Sequence, residues 1–217
     1  QGKFTLSFTA WADENAIQKY SPFFTYSISA EVTDLGGDTN SGSLSLNISE
    51  QELILDPVVP ETVDKSLGKL TVPLKVTNYS GEAIPTEGKL TIYALQSPEK
   101  IYRDRLWRQP DRFYLSKEQH AELFPSELYA DEDIVANWKR LKSVWTTRFD
   151  TALQKEILIK NLGNWATGAY VLEMVTESSG KQVKSERFFT LFSSSSKALP
   201  YPQAMWFAPV NTNCEPG

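Results

Sequence analysis

The sequence predicts an all-β protein with a small helical insertion, assembled from antiparallel β-sandwich domains. Three features carry that prediction. Apolar and polar residues alternate with a period of two in stretch after stretch, the spacing of half-buried strands. Turn formers separate these stretches, which favours antiparallel sheets over a parallel α/β order. Only residues from about 116 to 146 switch to helical spacing.

In chain order, Phe4, Leu6, Phe8 and Ala10 share one face of a first strand, and residues 12–22 form a polar loop. Tyr26, Ile28, Ala30 and Val32 then face one way, and Ser27, Ser29, Glu31 and Thr33 the other. The turn "DLGGDTN" (34–40) supplies glycines able to take positive φ, after which Leu44, Leu46 and Ile48 resume the apolar face. Three strands are too few for a two-sheet sandwich, so residues 1–50 read as the C-terminal part of a β-domain. From about Gln51 a connection leads into a first strand interrupted by prolines. Leu70, Val72, Leu74 and Val76 face inward in the next strand, and Leu90, Ile92 and Ala94 in the one after. Residues 97–114 read as polar, aromatic loop. Ser116 to Gln119 spell a capping box that opens a short helix to about Leu123. A second helix is expected from Asp131, with Ile134, Trp138, Leu141 and Trp145 on one stripe packed onto a sheet. Strands return at 152–162, 168–177 and 182–192. Residues 51–195 thus form a complete sandwich carrying the insertion, and 196–217 a linker and the start of a further domain.

Composition narrows the function classes. The chain has 217 residues and 41% hydrophobic content, enough for a packed core. Its net charge of −5 argues against nucleic acid or an anionic membrane as the main partner. Cys214 is the single cysteine, so the fold rests on packing rather than on an internal disulfide. No apolar run approaches the length of a membrane span. The chain shows no signal peptide, and both ends read as cut, which marks an excised piece of a longer protein. A β-rich exported protein without disulfides is more typical of a bacterium than of animal secretion.

The stretch "YSISAEVTDLGGDTNSG" (26–42) resembles the late hairpin of a macroglobulin-like domain, through Tyr26, Ile28, Ala30, Val32, Thr33, Asp34, Gly37, Asp38 and Thr39. "NWATGAYVLEM" (164–174) resembles the equivalent strand of the next such domain. Residues 123–145 resemble a helical insertion of the very large bacterial members, and "CEPG" (214–217) the opening of another domain. Together these resemble a fragment of a bacterial alpha-2-macroglobulin family protein of Bacteroidetes type. The resemblance implies serial macroglobulin- or fibronectin-like sandwiches in a large exported endopeptidase inhibitor, located in the periplasm or at the outer membrane and cell surface. Such proteins are thought to trap proteases by collapsing after a bait segment is cut, and many then link through a thioester. The thioester needs Cys followed by Glu-Gln, and Cys214 is followed by Glu215-Pro216, so no thioester residue carries over. The expected partners are neighbouring domains of the same parent chain and target proteases.

No constellation of nucleophile, base and orienting group is legible, so the expectation is a non-enzyme with no catalytic residue, no metal ligand and no cofactor. His120 lacks a second His or Cys at metal spacing and reads as helix surface. Asp34 and Asp38 read as turn chemistry rather than a calcium loop, and Asp131, Glu132 and Asp133 as carboxylates at a helix start. Asn47 and Asn78 head glycosylation sequons that a bacterium leaves unused. The candidate interaction surface is "YRDRLWRQPDRFY" (102–114), where Arg103, Arg105, Arg108 and Arg112 interleave with Trp107, Phe113 and Tyr114. That composition suits an inter-domain contact. It equally suits an Arg-rich loop paired with Asp104 and Asp111. In an adhesin or glycan-utilisation protein it would be a sugar platform, the rival reading to a protease trap. An open sheet edge in the first module also invites an edge-strand dimer.

Overall fold

The computed structural model describes residues 5–9, 23–49, 53–108 and 111–208. The described chain is mostly strand with one short α-helix. Two long strands, β1 (Phe23–Thr33) and β2 (Thr39–Ser49), pair antiparallel as a sheet of their own. Their register sets Tyr26 opposite Leu46 and Ile28 opposite Leu44. Asp34 builds the turn: its Oδ1 accepts from Gly36 N at 2.8 Å and Asp38 N at 3.0 Å, and Gly37 takes φ 90°. The turn chemistry expected there is what forms.

Eight further strands make two sheets. The three-stranded one has the order β3 (Ile54–Pro57), β5 (Lys69–Thr77), β8 (Glu156–Lys160). The five-stranded one runs β4 (Thr62–Asp64), β10 (Lys181–Phe192), β9 (Gly168–Ser178), β6 (Glu87–Gln96), β7 (Lys139–Asp150). All pairs are antiparallel except β4 with β10, which is parallel. The proline-flanked segment after Pro57 therefore moves the chain from one sheet to the other. Asp64 fixes the end of β4. Its carboxylate accepts from Ser66 N at 2.9 Å and Ser194 N at 3.2 Å; burial opposes its ionisation, but hydrogen bonds from the side chains and backbone of Ser194 and Ser66 outweigh it and lower its pKa to about 2.

The buried residues on the facing sides of the two sheets belong to one hydrophobic cluster. Leu70, Val72, Leu74, Val76, Ile157 and Ile159 come from the three-stranded sheet. Leu90, Ile92, Leu172, Met174, Phe189 and Leu191 come from the five-stranded one. Leu162, fully buried, and Tyr170 close the end nearest the β8–β9 connection. The Tyr170 hydroxyl donates back to Ala166 O at 2.6 Å, and its ring stacks on Phe189 at 5.5 Å. Gly88 lies where a side chain has no room, since a Cβ there would sit 2.4 Å from Val175 O and 2.6 Å from the Phe149 ring.

The outer face of the five-stranded sheet is also covered at one end. Leu95, Ala169 and Val171 are buried there beneath Tyr93, Val135, Trp138, Phe188 and Tyr201. Beyond this apolar end, Arg140 bridges Glu173 and Glu186, each at 2.6 Å, and Lys184 reaches Glu173 at 2.8 Å and also pairs with Glu186. Partial burial opposes ionisation of both glutamates, but their cationic neighbours outweigh it and hold both pKa values below 4.5.

Several expectations change. The second helix does not form: residues 135–137 make a single 3-10 turn and β7 follows at once. Trp145, Thr147 and Phe149 alternate inward with period two, and pairing with β6 satisfies the backbone that a helix would have satisfied internally. Trp138 instead donates from Nε1 to Glu132 O at 2.8 Å and meets Tyr201 edge-on. The carboxylates at 131–133 thus head a turn, and Glu132 accepts from Ala130 N at 2.8 Å. Lastly, residues 5–9 join no strand, although the Phe8 ring lies 5.8 Å from that of Tyr26 on β1. Phe4, Ala10, the loop at 12–22 and Cys214 with its neighbours lie outside the described residues.

The segment expected as a linker folds back: Tyr201 joins the outer cluster and Trp206 approaches the Phe192 ring at 5.8 Å. Among the described residues, no helix is long and apolar enough to cross a membrane.

Candidate functional site

Between β6 and β7 the chain makes a long excursion over residues 97–138, and this carries a largely apolar cavity of about 510 Å³. That volume lies within the usual range for small-ligand sites, about 300–1,000 Å³. One wall is the extended arm from Arg103 to Trp107. The opposite wall is α1 (Lys117–Leu123) with the segment after it, presenting His120, Phe124, Leu128 and Tyr129. Phe113 completes the lining.

Local chemistry builds each wall. Ser116 and Gln119 form the expected capping box, with Gln119 N donating to Ser116 Oγ at 3.2 Å and Ser116 N donating to Gln119 Oε1 at 3.0 Å. That start puts His120 and Phe124 one turn apart on one helix face, with their rings 5.4 Å apart. Tyr129 packs against His120 at 5.3 Å and Phe113 at 4.5 Å, and its hydroxyl donates to Leu115 O at 3.0 Å. The arm is tied across by Arg103 N donating to Ser126 O at 2.8 Å, and by Arg105 Nη2 donating to Ala130 O at 2.7 Å. Lys100 Nζ adds a bond to Pro125 O at 2.6 Å.

Of the residues singled out from sequence, Arg103, Arg105, Trp107 and Phe113 line the cavity. Arg108, Arg112 and Tyr114 do not, and Tyr114 projects into solvent at 93% exposure. The local pairing of the arginines with Asp104 and Asp111 does not appear among the ion pairs of the described residues. His120 is not plain helix surface: it is half-buried between two aromatic rings. Phe124, Glu127, Leu128 and Tyr129 were not singled out from sequence. The His120/Phe124 spacing of one helical turn was the available signal, since it aligns two rings on one face.

The cavity thus combines aromatic walls, an exposed indole (Trp107, 66%) and a mixed rim of Arg103, Arg105, Asp104 and Glu127. No protein-family model matches the chain, and no curated protein does at a significant level.

Proposed function

We propose that this chain is a non-catalytic β-sandwich segment of a large exported protein of alpha-2-macroglobulin type, a protease-trapping endopeptidase inhibitor of a bacterial cell envelope. The observation that carries the reading is the strand arrangement. A first strand divided between two sheets, β3 on β5 and β4 on β10, encloses one core. The Tyr170 hydroxyl is tied back to Ala166 just before its strand. The second resembles the tyrosine corner of immunoglobulin-like sandwiches. The β1–β2 hairpin supports serial domains, because Leu44, Leu46 and Ile48 leave an apolar face open among the described residues, as a piece of a neighbouring sandwich would. In this reading the partners are adjoining domains of the parent chain and the proteases it meets.

The test is made on the full-length parent, treated with a panel of proteases. Cleavage is followed by gel, compactness by small-angle scattering, and residual protease activity on large and small substrates. Collapse after a single cut, with large substrates protected, is the expected result. An uncollapsed, unprotected product refutes the trap.

A second reading, an accessory ligand-binding sandwich of a cell-surface protein, is favoured by one observation: the aromatic cavity of the 97–138 excursion. A buried structural segment has no need of an open cavity with an exposed indole.

A further inference from the structure

The rim of the cavity holds polar groups that do not satisfy one another. Arg105 spends one N–H on Ala130 O, and neither it nor Arg103 forms an ion pair with Asp104 or Glu127 among the described residues. Two guanidiniums stand beside two carboxylates, so the formal charges cancel, and the half-buried His120 adds a group able to donate or accept. Trp107, Phe113 and Phe124 line the same cavity.

We infer that this cavity binds a pyranose residue of a neutral glycan, with the sugar ring stacked on Trp107 and its hydroxyls bonded to the Arg105, His120 and Glu127 side chains. The inference rests on the ligand-binding reading above and names its ligand. Three chemistries compete for such a site. An anionic ligand would meet Asp104 and Glu127 as well as the arginines and gains little from the site as a whole. The apolar side chain of a protein partner would fill the aromatic walls but strand the rim groups away from water without partners, which is costly. A neutral sugar suits both parts. Each hydroxyl donates and accepts, so it can bridge guanidinium and carboxylate. The C–H face of a pyranose carries partial positive charge and lies well against the negative face of an aromatic ring.

The test is calorimetric titration of the whole chain, with tryptophan fluorescence in parallel. The probes are short neutral gluco-, manno-, galacto- and xylo-oligosaccharides, an oligogalacturonate, and a short phenylalanine-rich peptide. The expected result is saturable binding of at least one neutral oligosaccharide with a change in tryptophan emission. Affinity should fall about tenfold or more in Trp107→Ala and in Glu127→Gln, a loss readable as a tenfold rise in Kd. Arg112→Ala, outside the cavity, should bind as the parent does. Circular dichroism and thermal melting establish that each variant is folded, and Trp107 is exposed enough for its loss to leave the core alone. Binding that survives Trp107→Ala overturns the inference. Binding of the peptide or the oligogalacturonate alone also overturns it, while leaving a ligand-binding module standing. Failure of every probe at millimolar concentration overturns both the inference and that reading, and leaves the trap assay as the deciding experiment.

Discussion

Replacing Tyr170 by Phe removes one oxygen from a buried end of the core and leaves the ring in place. Tyr170 is only 2% exposed, its ring is held between Phe189 at 5.5 Å and Trp165 at 5.6 Å, and its hydroxyl donates to Ala166 O at 2.6 Å. The ring contacts survive the change, so the cost is that of the hydrogen bond. A buried bond of this kind contributes about 0.5–1.5 kcal/mol net, and leaving its acceptor unpaired raises the cost to about 1–3 kcal/mol. Residue 166 is itself exposed, so water can serve its carbonyl in part, and the expected loss is about 1–2 kcal/mol. For a chain of this size that corresponds to a fall in Tm of about 2–8 °C. Tyr170→Ala should cost about 3–5 kcal/mol, because it also empties the ring site.

The same substitution has a signature in pH. Burial raises the Tyr170 pKa above the ordinary 10.0. The unfolded chain then releases the phenolic proton first as pH rises. The protonated phenol's contribution to stability is therefore whole below pH 10.0 and is lost as pH climbs through the folded pKa. Chemical denaturation at neutral pH and at increasing alkalinity measures both effects. The Tyr170→Phe variant should be less stable at neutral pH and should lose less stability in alkali than the parent, so the two curves converge. A variant as stable as the parent at neutral pH, or one with the same alkaline slope, would refute the role given to this hydroxyl.

Other outcomes follow from the same coordinates. Gly88→Ala should destabilise by about 1–3 kcal/mol or more through overpacking. Adding Phe149→Leu should recover only part of it, because the Val175 carbonyl, 2.4 Å from the new Cβ, is backbone and cannot withdraw. Glu173→Gln should cost about 1 kcal/mol, as it weakens the anchorage of both Arg140 and Lys184. Because the folded pKa values of Glu173 and Glu186 lie below 4.5, their contribution is present above that pH and fades as pH falls through the folded values. The acid limb of a Tm-against-pH curve should therefore be shallower in Glu173→Gln. At the hairpin, light scattering should show concentration-dependent dimerisation through the open edges of β1 and β2, and Leu44→Lys with Leu46→Lys should suppress it; a monomer at all concentrations would remove the edge-pairing proposal.

Much of the strand content was legible in the sequence. The alternation of Leu70, Val72, Leu74 and Val76 appears as a strand with those four residues buried. The "DLGGDTN" turn and the Ser116–Gln119 capping box formed as written, since each depends on side chains bonding to backbone a few residues away. β7 was not legible in this way. Ile134, Trp138, Leu141 and Trp145 satisfy a helical spacing, while Trp145, Thr147 and Phe149 satisfy a strand's, and one chain segment holds both patterns. The choice between them fell to β6, whose free edge offered partners for the backbone and a site over Gly88 for the Phe149 ring. The cavity was half legible. Its Arg and aromatic arm stood out by composition, but His120, Phe124 and Tyr129 join that arm only through the bonds of Arg103 to Ser126 and Arg105 to Ala130. By itself the sequence determined periodicity, turns and caps, because these follow from covalent geometry over a few residues. Tertiary structure alone decided which edge β7 joined and which rings share a cavity, because both depend on backbone pairing and burial between segments distant along the chain.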